Sequence, residues 1–167
     1  DLGNKMPEDT EIRLIGIDYA FANTTGGTKN DATQIMCMSL HWKEKHFERH
    51  IDYIEGHEAS DSIGANNRCR ELAWDYSMGG EFYVVPDIRS GGETLFNRMT
   101  MPWEHPDRGN YWDKRGFGVA NNINLHVATQ NKLDDLRNRT VDPNAIPVVI
   151  PIIGSPEFNS TCWVSLK

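Results

Sequence analysis

A chain of 167 residues is long enough for one domain with a proper core and too short for two ordinary ones. Its 38% hydrophobic and 25% charged residues fit a soluble globular domain, and no apolar run approaches the roughly 20 residues that a membrane-spanning helix needs. A net charge of −7 argues against binding nucleic acid through the overall field, though not against a local basic rim around an acidic site whose cations neutralise phosphates.

Residues 1–11 are polar and contain Pro7, which predicts a linker or frayed end; a domain is expected over 12–167. Arg13-Leu-Ile-Gly-Ile-Asp18 reads as a strand, apolar on both faces and therefore expected at the centre of a sheet covered on both sides. A Gly-bearing turn follows, and strand character resumes over Ala32 to Trp42, a connection short enough to predict an antiparallel hairpin. After the turn at Lys43-Glu44-Lys45, His46 to Ile54 alternates. Phe47, Ile51 and Tyr53 are expected on one face and His46, Glu48, His50 and Asp52 on the other.

From Ser60 to Met78 the period changes to that of an amphipathic helix, with Cys69, Leu72, Ala73 and Tyr76 on its apolar stripe and Gly79-Gly80 as the stop. Phe82-Tyr-Val-Val-Pro-Asp87 is a second strand ending in an aspartate. Ser90-Gly-Gly-Glu93 has capping-box spacing and predicts a helix to about Met99, although Gly91-Gly92 could also cradle a phosphate. Met101 to Pro143 is expected to be a long decorated loop with one short helix near Gln130 to Arg137. Ala145 to Ile153 closes the pattern as a strand whose prolines suit an edge or an interrupted ladder.

A strand, helix, strand unit in one sheet makes a right-handed crossover. If the strand ending in Asp87 lies beside the one ending in Asp18, both carboxylates meet at the crevice where open α/β sheets bind ligands. Paired carboxylates suit Mg²⁺ or Mn²⁺, two of which can clamp a phosphodiester. Asp31 is either a third acid or a turn residue. Arg89, Arg98, Arg108, Lys114 and Arg115, interleaved with Trp103, Tyr111, Trp112 and Phe117, suit either a nucleic-acid contact or a solvated loop with its aromatics packed inward. Asp134-Asp135 reads as a polar helix face. Cys37, Cys69 and Cys162 are expected as reduced core thiols of a cytosolic protein, and no histidine pair has metal spacing. No P-loop, H-E-x-x-H or nucleophile-elbow motif is present.

Ile15-Gly-Ile-Asp-Tyr-Ala20, Asn30-Asp-Ala-Thr33 and Val84-Val-Pro-Asp-Ile-Arg-Ser-Gly-Gly92 resemble, in that order, the C-terminal nuclease domain of tailed-phage large terminases. Arg137-Asn-Arg-Thr140, Asp142-Pro-Asn-Ala-Ile-Pro147 and Gly154-Ser-Pro-Glu157 look like that family's downstream part. The resemblance implies a ribonuclease H-like fold, an α/β mixed sheet with three antiparallel strands followed by parallel ones. It implies a DNA endonuclease using two Mg²⁺ or Mn²⁺ ions, with Asp18 and Asp87 as metal ligands and Asp31 in a supporting catalytic role. Its implied partners are double-stranded DNA and, in a parent protein, an ATPase domain, the small terminase subunit and the portal, all at the procapsid in the host cytoplasm, without a membrane. The family's third acid follows the last strand. The chain is therefore expected to be C-terminally truncated and weakly active alone. The alternatives are a Holliday-junction resolvase-like nuclease and a non-catalytic module docking a protein through the Trp-rich loop.

Overall fold

The computed structural model describes residues 12–20, 32–43, 46–58, 61–78, 80–88, 92–121 and 127–152, with 127–130 described by backbone alone. Six strands form one mixed sheet: β1 (Ile12–Asp18), β2 (Thr33–Lys43), β3 (His46–His57), β4 (Phe82–Asp87), β5 (Phe117–Val119) and β6 (Ile146–Val149). Helices α1 (Ser62–Ser77), α2 (Gly92–Met99) and α3 (Val127–Asn138) accompany them. The strand order is β3-β2-β1-β4-β6-β5. Strands β1 to β3 pair antiparallel, whereas β4, β6 and β5 run parallel to β1. The chain is thus an α/β domain, and its mixed sheet is consistent with a ribonuclease H-like fold. No helix among the described residues is long and apolar enough to cross a membrane.

Alternation along β1 creates two unlike faces. Arg13, Ile15 and Ile17 are buried, while Leu14 and Gly16 are half-buried and Asp18 is exposed. Ile35 and Cys37 of β2 and Val84 of β4 continue the buried face, and α1 closes it with Cys69, Leu72, Ala73 and Tyr76. Leu95, Phe96 and Met99 of α2 join the same core, as do Leu133 and Leu136 of α3. Each such side chain withdrawn from water contributes about 1.5–3 kcal/mol, and that gain holds the helices on the sheet.

The other face differs from expectation. Leu14, Met36, Met38 and Val85 are only half-buried there, and Trp42, Phe47, Ile51 and Ile54 are exposed. The expected second cover over β1 is not supplied by the described residues.

Buried charges tie the elements together. The Arg70 guanidinium, 3% exposed, reaches from α1 to the carbonyls of Arg98 (3.1 Å), Met99 and Met101 (2.6 Å) at the end of α2. It thereby adds donors at the carboxyl end of the helix, where the Arg98 carbonyl also accepts from Met101 N–H (3.1 Å), and its positive charge suits the negative end of the helix dipole. Burial lowers its pKa to about 10, so it remains cationic at neutral pH. A second network joins β3, α1 and the 101–116 loop. Glu55 accepts from Arg68 (3.1 Å), Arg68 donates to Glu71 (3.0 Å), and Glu71 meets His105 Nε2 (3.0 Å).

Three local expectations are corrected. A register shift between Cys37 and Met38 makes Asp52 an extra residue in β3, so Tyr53 pairs with Cys37 on the core side while Ile51 and Ile54 share the open side. Tyr53 therefore does not share a face with Phe47 and Ile51. Helix α1 ends on Met78, which adopts the left-handed conformation (φ 50°, ψ 32°) expected of Gly79-Gly80; for an L-residue this costs roughly 1–2 kcal/mol. Finally, the 101–143 stretch contains β5, a strand of three residues that was expected as loop.

Strand β6 lies inside the sheet, between β4 and β5, and its ladder is interrupted. It meets β4 at Val84 and Val149 and again through the bridge between Asp87 and Ile152. Cys37 and Cys69 are buried, free thiols, whose pKa burial pushes upward; Cys162 lies outside the described residues. Asp134 and Asp135 are salt-bridged to Arg137 and Arg139 on the exposed side of α3, as a polar face requires.

Replacing Arg70 with Met keeps the side-chain bulk but takes the guanidinium donor from the Met99 and Met101 carbonyls, while the Arg98 carbonyl keeps the Met101 N–H. Arg70→Met is expected to lower unfolding free energy by about 3 kcal/mol, read as a lower urea midpoint at unchanged slope.

Candidate functional site

Asp18 and Asp87 are register partners on neighbouring parallel strands. Strand parity explains why they face the same way. Ile17 and Tyr19 are buried on the α1 side at 2% and 8% exposure, which turns Asp18 to the open face. In β4, buried Pro86 and Ile88 flank Asp87 in the same manner. Both carboxylates line a trough of about 650 Å³, with Gln34 beside them and Leu14, Gly16, Met36, Met38, Ile54, Val85 and Ile152 among its other walls. Adjacent strands lie about 4.8 Å apart, so the two side chains rise from one sheet level within reach of a common ion.

The backbone around Asp18 is fixed from both sides. Tyr19 donates its phenolic hydrogen to Asn66 Oδ1 of α1 at 2.9 Å. Burial, with the nearby Cys69 thiol adding to it and Arg70 opposing, holds the phenol's pKa well above its ordinary value, so the donor persists at any physiological pH. Ala20 N–H donates to the buried Thr33 hydroxyl at 3.0 Å, fastening the exit of β1 to the entrance of β2. Tyr19, Asn66, Thr33 and Gln34 were not singled out from sequence. The alternation of β1, carried one residue past the strand end, would have marked Tyr19, and nothing in the sequence alone marks the other three.

Asp87 is held by close backbone packing. A Cβ on Gly92 would fall 2.6 Å from the Asp87 carbonyl oxygen, so glycine permits the start of α2 to press against the end of β4. Beyond it, Ile88 N–H donates to Ile152 O at 3.1 Å and Ile152 N–H to Pro86 O at 2.8 Å. Glu93 goes elsewhere than the capping box implied. Its carboxylate takes Lys132 (2.5 Å) and Arg139 (3.2 Å), and the Lys132 hydrogen bond above all holds its pKa below the usual carboxylate range. Ser90 and Gly91, the rest of that motif, lie outside the described residues.

The other candidate residues do not gather here. Asp31 and Arg89 lie outside the described residues. Arg98 is exposed on α2. Helix α2 runs from the carboxyl end of β4 back along the sheet, so the loop that follows it belongs to the opposite end from Asp18 and Asp87. There Arg108 grips Asp75 at 2.5 and 2.7 Å, Lys114 meets Glu104 at 3.3 Å, and Arg115 meets Asp113 at 2.6 Å. Hydrogen bonds from Arg108 and Arg115 hold the carboxyls of Asp75 and Asp113 below their usual range. The loop's aromatics mostly turn inward. Trp112 is buried, donates Nε1–H to Trp103 O at 3.0 Å and packs edge-on against the Trp103 ring, and Phe117 is in the core. Tyr111 alone among these four is fully exposed.

Among the described residues no group of three or more His, Cys, Asp or Glu side chains forms a complete metal cage. Two carboxylates at one level still fit Mg²⁺ or Mn²⁺. A hard ion of this kind retains several waters and binds through one or two carboxylates together with substrate phosphates.

Gly92→Val is expected to push the start of α2 off Asp87. The urea midpoint should fall by the equivalent of about 1–3 kcal/mol, because the strand end that carries Asp87 is displaced.

No family model, no curated protein and no solved structure matches this chain.

Proposed function

We propose that this domain is a metal-dependent DNA endonuclease of the terminase kind, hydrolysing phosphodiesters. The observation that supports the reading is the Asp18 and Asp87 pair, in register on parallel strands and opening into one trough. Asp18 and Asp87 would hold divalent ions, which supply a nucleophilic water at neutral pH and neutralise charge on the phosphodiester. Of the chain's own groups, Asp18 is kept in place by Tyr19 and Ala20 on its carboxyl side, and Asp87 by the close packing of Gly92. Fixed carboxylates of this kind cost little reorganisation when charge develops on the substrate. Asp31 is proposed as a supporting acid. Double-stranded DNA is the proposed substrate, and an ATPase domain, the small terminase subunit and the portal are the proposed partners of a parent protein at the procapsid.

A second reading is a non-catalytic docking module. The exposed Trp42, Phe47, Ile51 and Ile54 favour it, because contiguous exposed apolar surface commonly marks an interaction site. The Trp-rich loop supports it less, since Trp112 is packed inward.

Asp18→Asn and Asp87→Asn are each expected to reduce Mn²⁺-dependent nicking of supercoiled plasmid to background, with circular dichroism and melting temperature unchanged. Full nicking by both variants would refute the nuclease. A wild-type chain that takes up no Mn²⁺ at millimolar concentration would favour the docking module.

A further inference from the structure

The level of the sheet that carries the two carboxylates continues beyond them. Asp87 of β4 pairs with Asp18 of β1, Asp18 with Gln34 of β2, and Gln34 with Gly56 of β3. Partners in register share a sheet face, so the four positions form one row across four strands on the open side. Gln34 and Gly56 are both exposed, and Gln34 lines the trough with the carboxylates.

Gly56 shows which way the amide lies. A Cβ built on it would stand 3.1 Å from Gln34 Nε2, 3.5 Å from Oε1 and 3.7 Å from Cδ, closer than from any other group. The Gln34 carboxamide is therefore laid across β3 on the ground left by a missing side chain, pointing away from Asp18. Its end over Gly56 lies roughly three strand spacings, or about 14 Å, from Asp87 along the row.

We propose that Gln34 is a substrate-binding residue whose carboxamide donates to a backbone phosphate oxygen of a nucleotide flanking the scissile bond rather than to the scissile phosphate itself, with Gly56 as the positioning residue that lets it lie flat. This rests on the nuclease reading above. The chemistry favours a neutral donor at this place. A Lys or Arg at position 34 would stand opposite Asp18 and pair with it, competing with the cations that the carboxylates hold. An amide donates to phosphate without that competition, and side-chain amides are ordinary phosphate contacts in protein–DNA interfaces. The contact positions the strand without reading its sequence.

The test is steady-state cleavage, by the purified chain in Mn²⁺, of a short DNA duplex labelled at one 5′ end. Asp18→Asn, Gln34→Ala, Gln34→Glu, Gly56→Val and the Gln34→Ala/Gly56→Val double variant are compared with wild type. Gln34→Ala is expected to raise KM about tenfold with kcat within about twofold, the size of one hydrogen bond to a charged group. Gln34→Glu should raise KM further, because an acceptor then faces phosphate. Gly56→Val should act like Gln34→Ala, and the double variant should be no worse than either single one, since both act through one amide. A merely structural Gln34 would not produce this split between KM and kcat.

Three results overturn the proposal. Gln34→Ala with wild-type KM, alongside an inactive Asp18→Asn, removes the Gln34 contact and leaves the nuclease standing. Gln34→Glu that binds substrate more tightly or needs less Mn²⁺ makes position 34 a metal neighbour instead. Cleavage by Asp18→Asn equal to wild type removes the nuclease reading, and the Gln34 contact falls with it.

Discussion

The parallel pairing of β1 with β4 is the constraint on which the site depends. It places Ile15 beside Val84 on the buried side and Asp18 beside Asp87 on the open side. Strand side chains alternate with a period of two, so a slip of one residue would send one of these aspartates into the core. The slip is prevented by apolar burial. Ile15 and Val84 are both fully withdrawn from water under α1, and neither can be exchanged for a half-buried neighbour without losing that gain. The same packing that makes the domain stable therefore makes the two carboxylates coincide.

The two ends of the sheet use charge differently. At the carboxyl ends of β1 and β4, two acids open into a trough whose remaining walls are mostly apolar. At the other end, charges are consumed by one another or by backbone. There Arg70 caps α2 and Arg108 takes Asp75, while a chain that starts at Glu55, beside the acidic row on β3, runs through Arg68 and Glu71 to His105 and fastens the long loop to α1 and β3. A loop rich in Arg and Trp thus serves first as a strap over the core, with Trp112 hydrogen-bonded to Trp103 beneath it.

What the sequence made legible follows from this division. The apolar run ending in Asp18, its repeat ending in Asp87 and the amphipathic helix between them were enough to deduce parallel neighbours, because crossover handedness leaves few alternatives. Strand β5 escaped notice because three residues, the middle one Gly118, are too short to display a period, and because its place is set by Gly116, whose Cβ would stand 2.0 Å from the Thr100 carbonyl oxygen. The facing of Tyr53 escaped because a bulge is a property of two strands together. The helix stop was displaced by one position because Met78 tolerates a backbone conformation that glycine would take more cheaply. At the site, the aspartates were visible as carboxylates where apolar strands end. Asn66, Thr33 and Gln34 were not, since a polar residue in a helix or strand reads as ordinary until its neighbour across the fold is known.

The bulge at Asp52 has a mechanical meaning for the hairpin. It absorbs one residue between the inner pairs, Gln34 to Gly56 and Met36 to Ile54, and the outer ones, Met38 to Ile51 and Trp42 to Phe47. Tyr76 donates its hydroxyl to Asp52 and so pins this joint to α1. The hairpin is thereby split into a root, whose facing is locked to the acidic row, and a tip whose parity is set independently. The register of the tip therefore follows from its own pairs, and that of the root from the acidic row, with Asp52 as the joint between them.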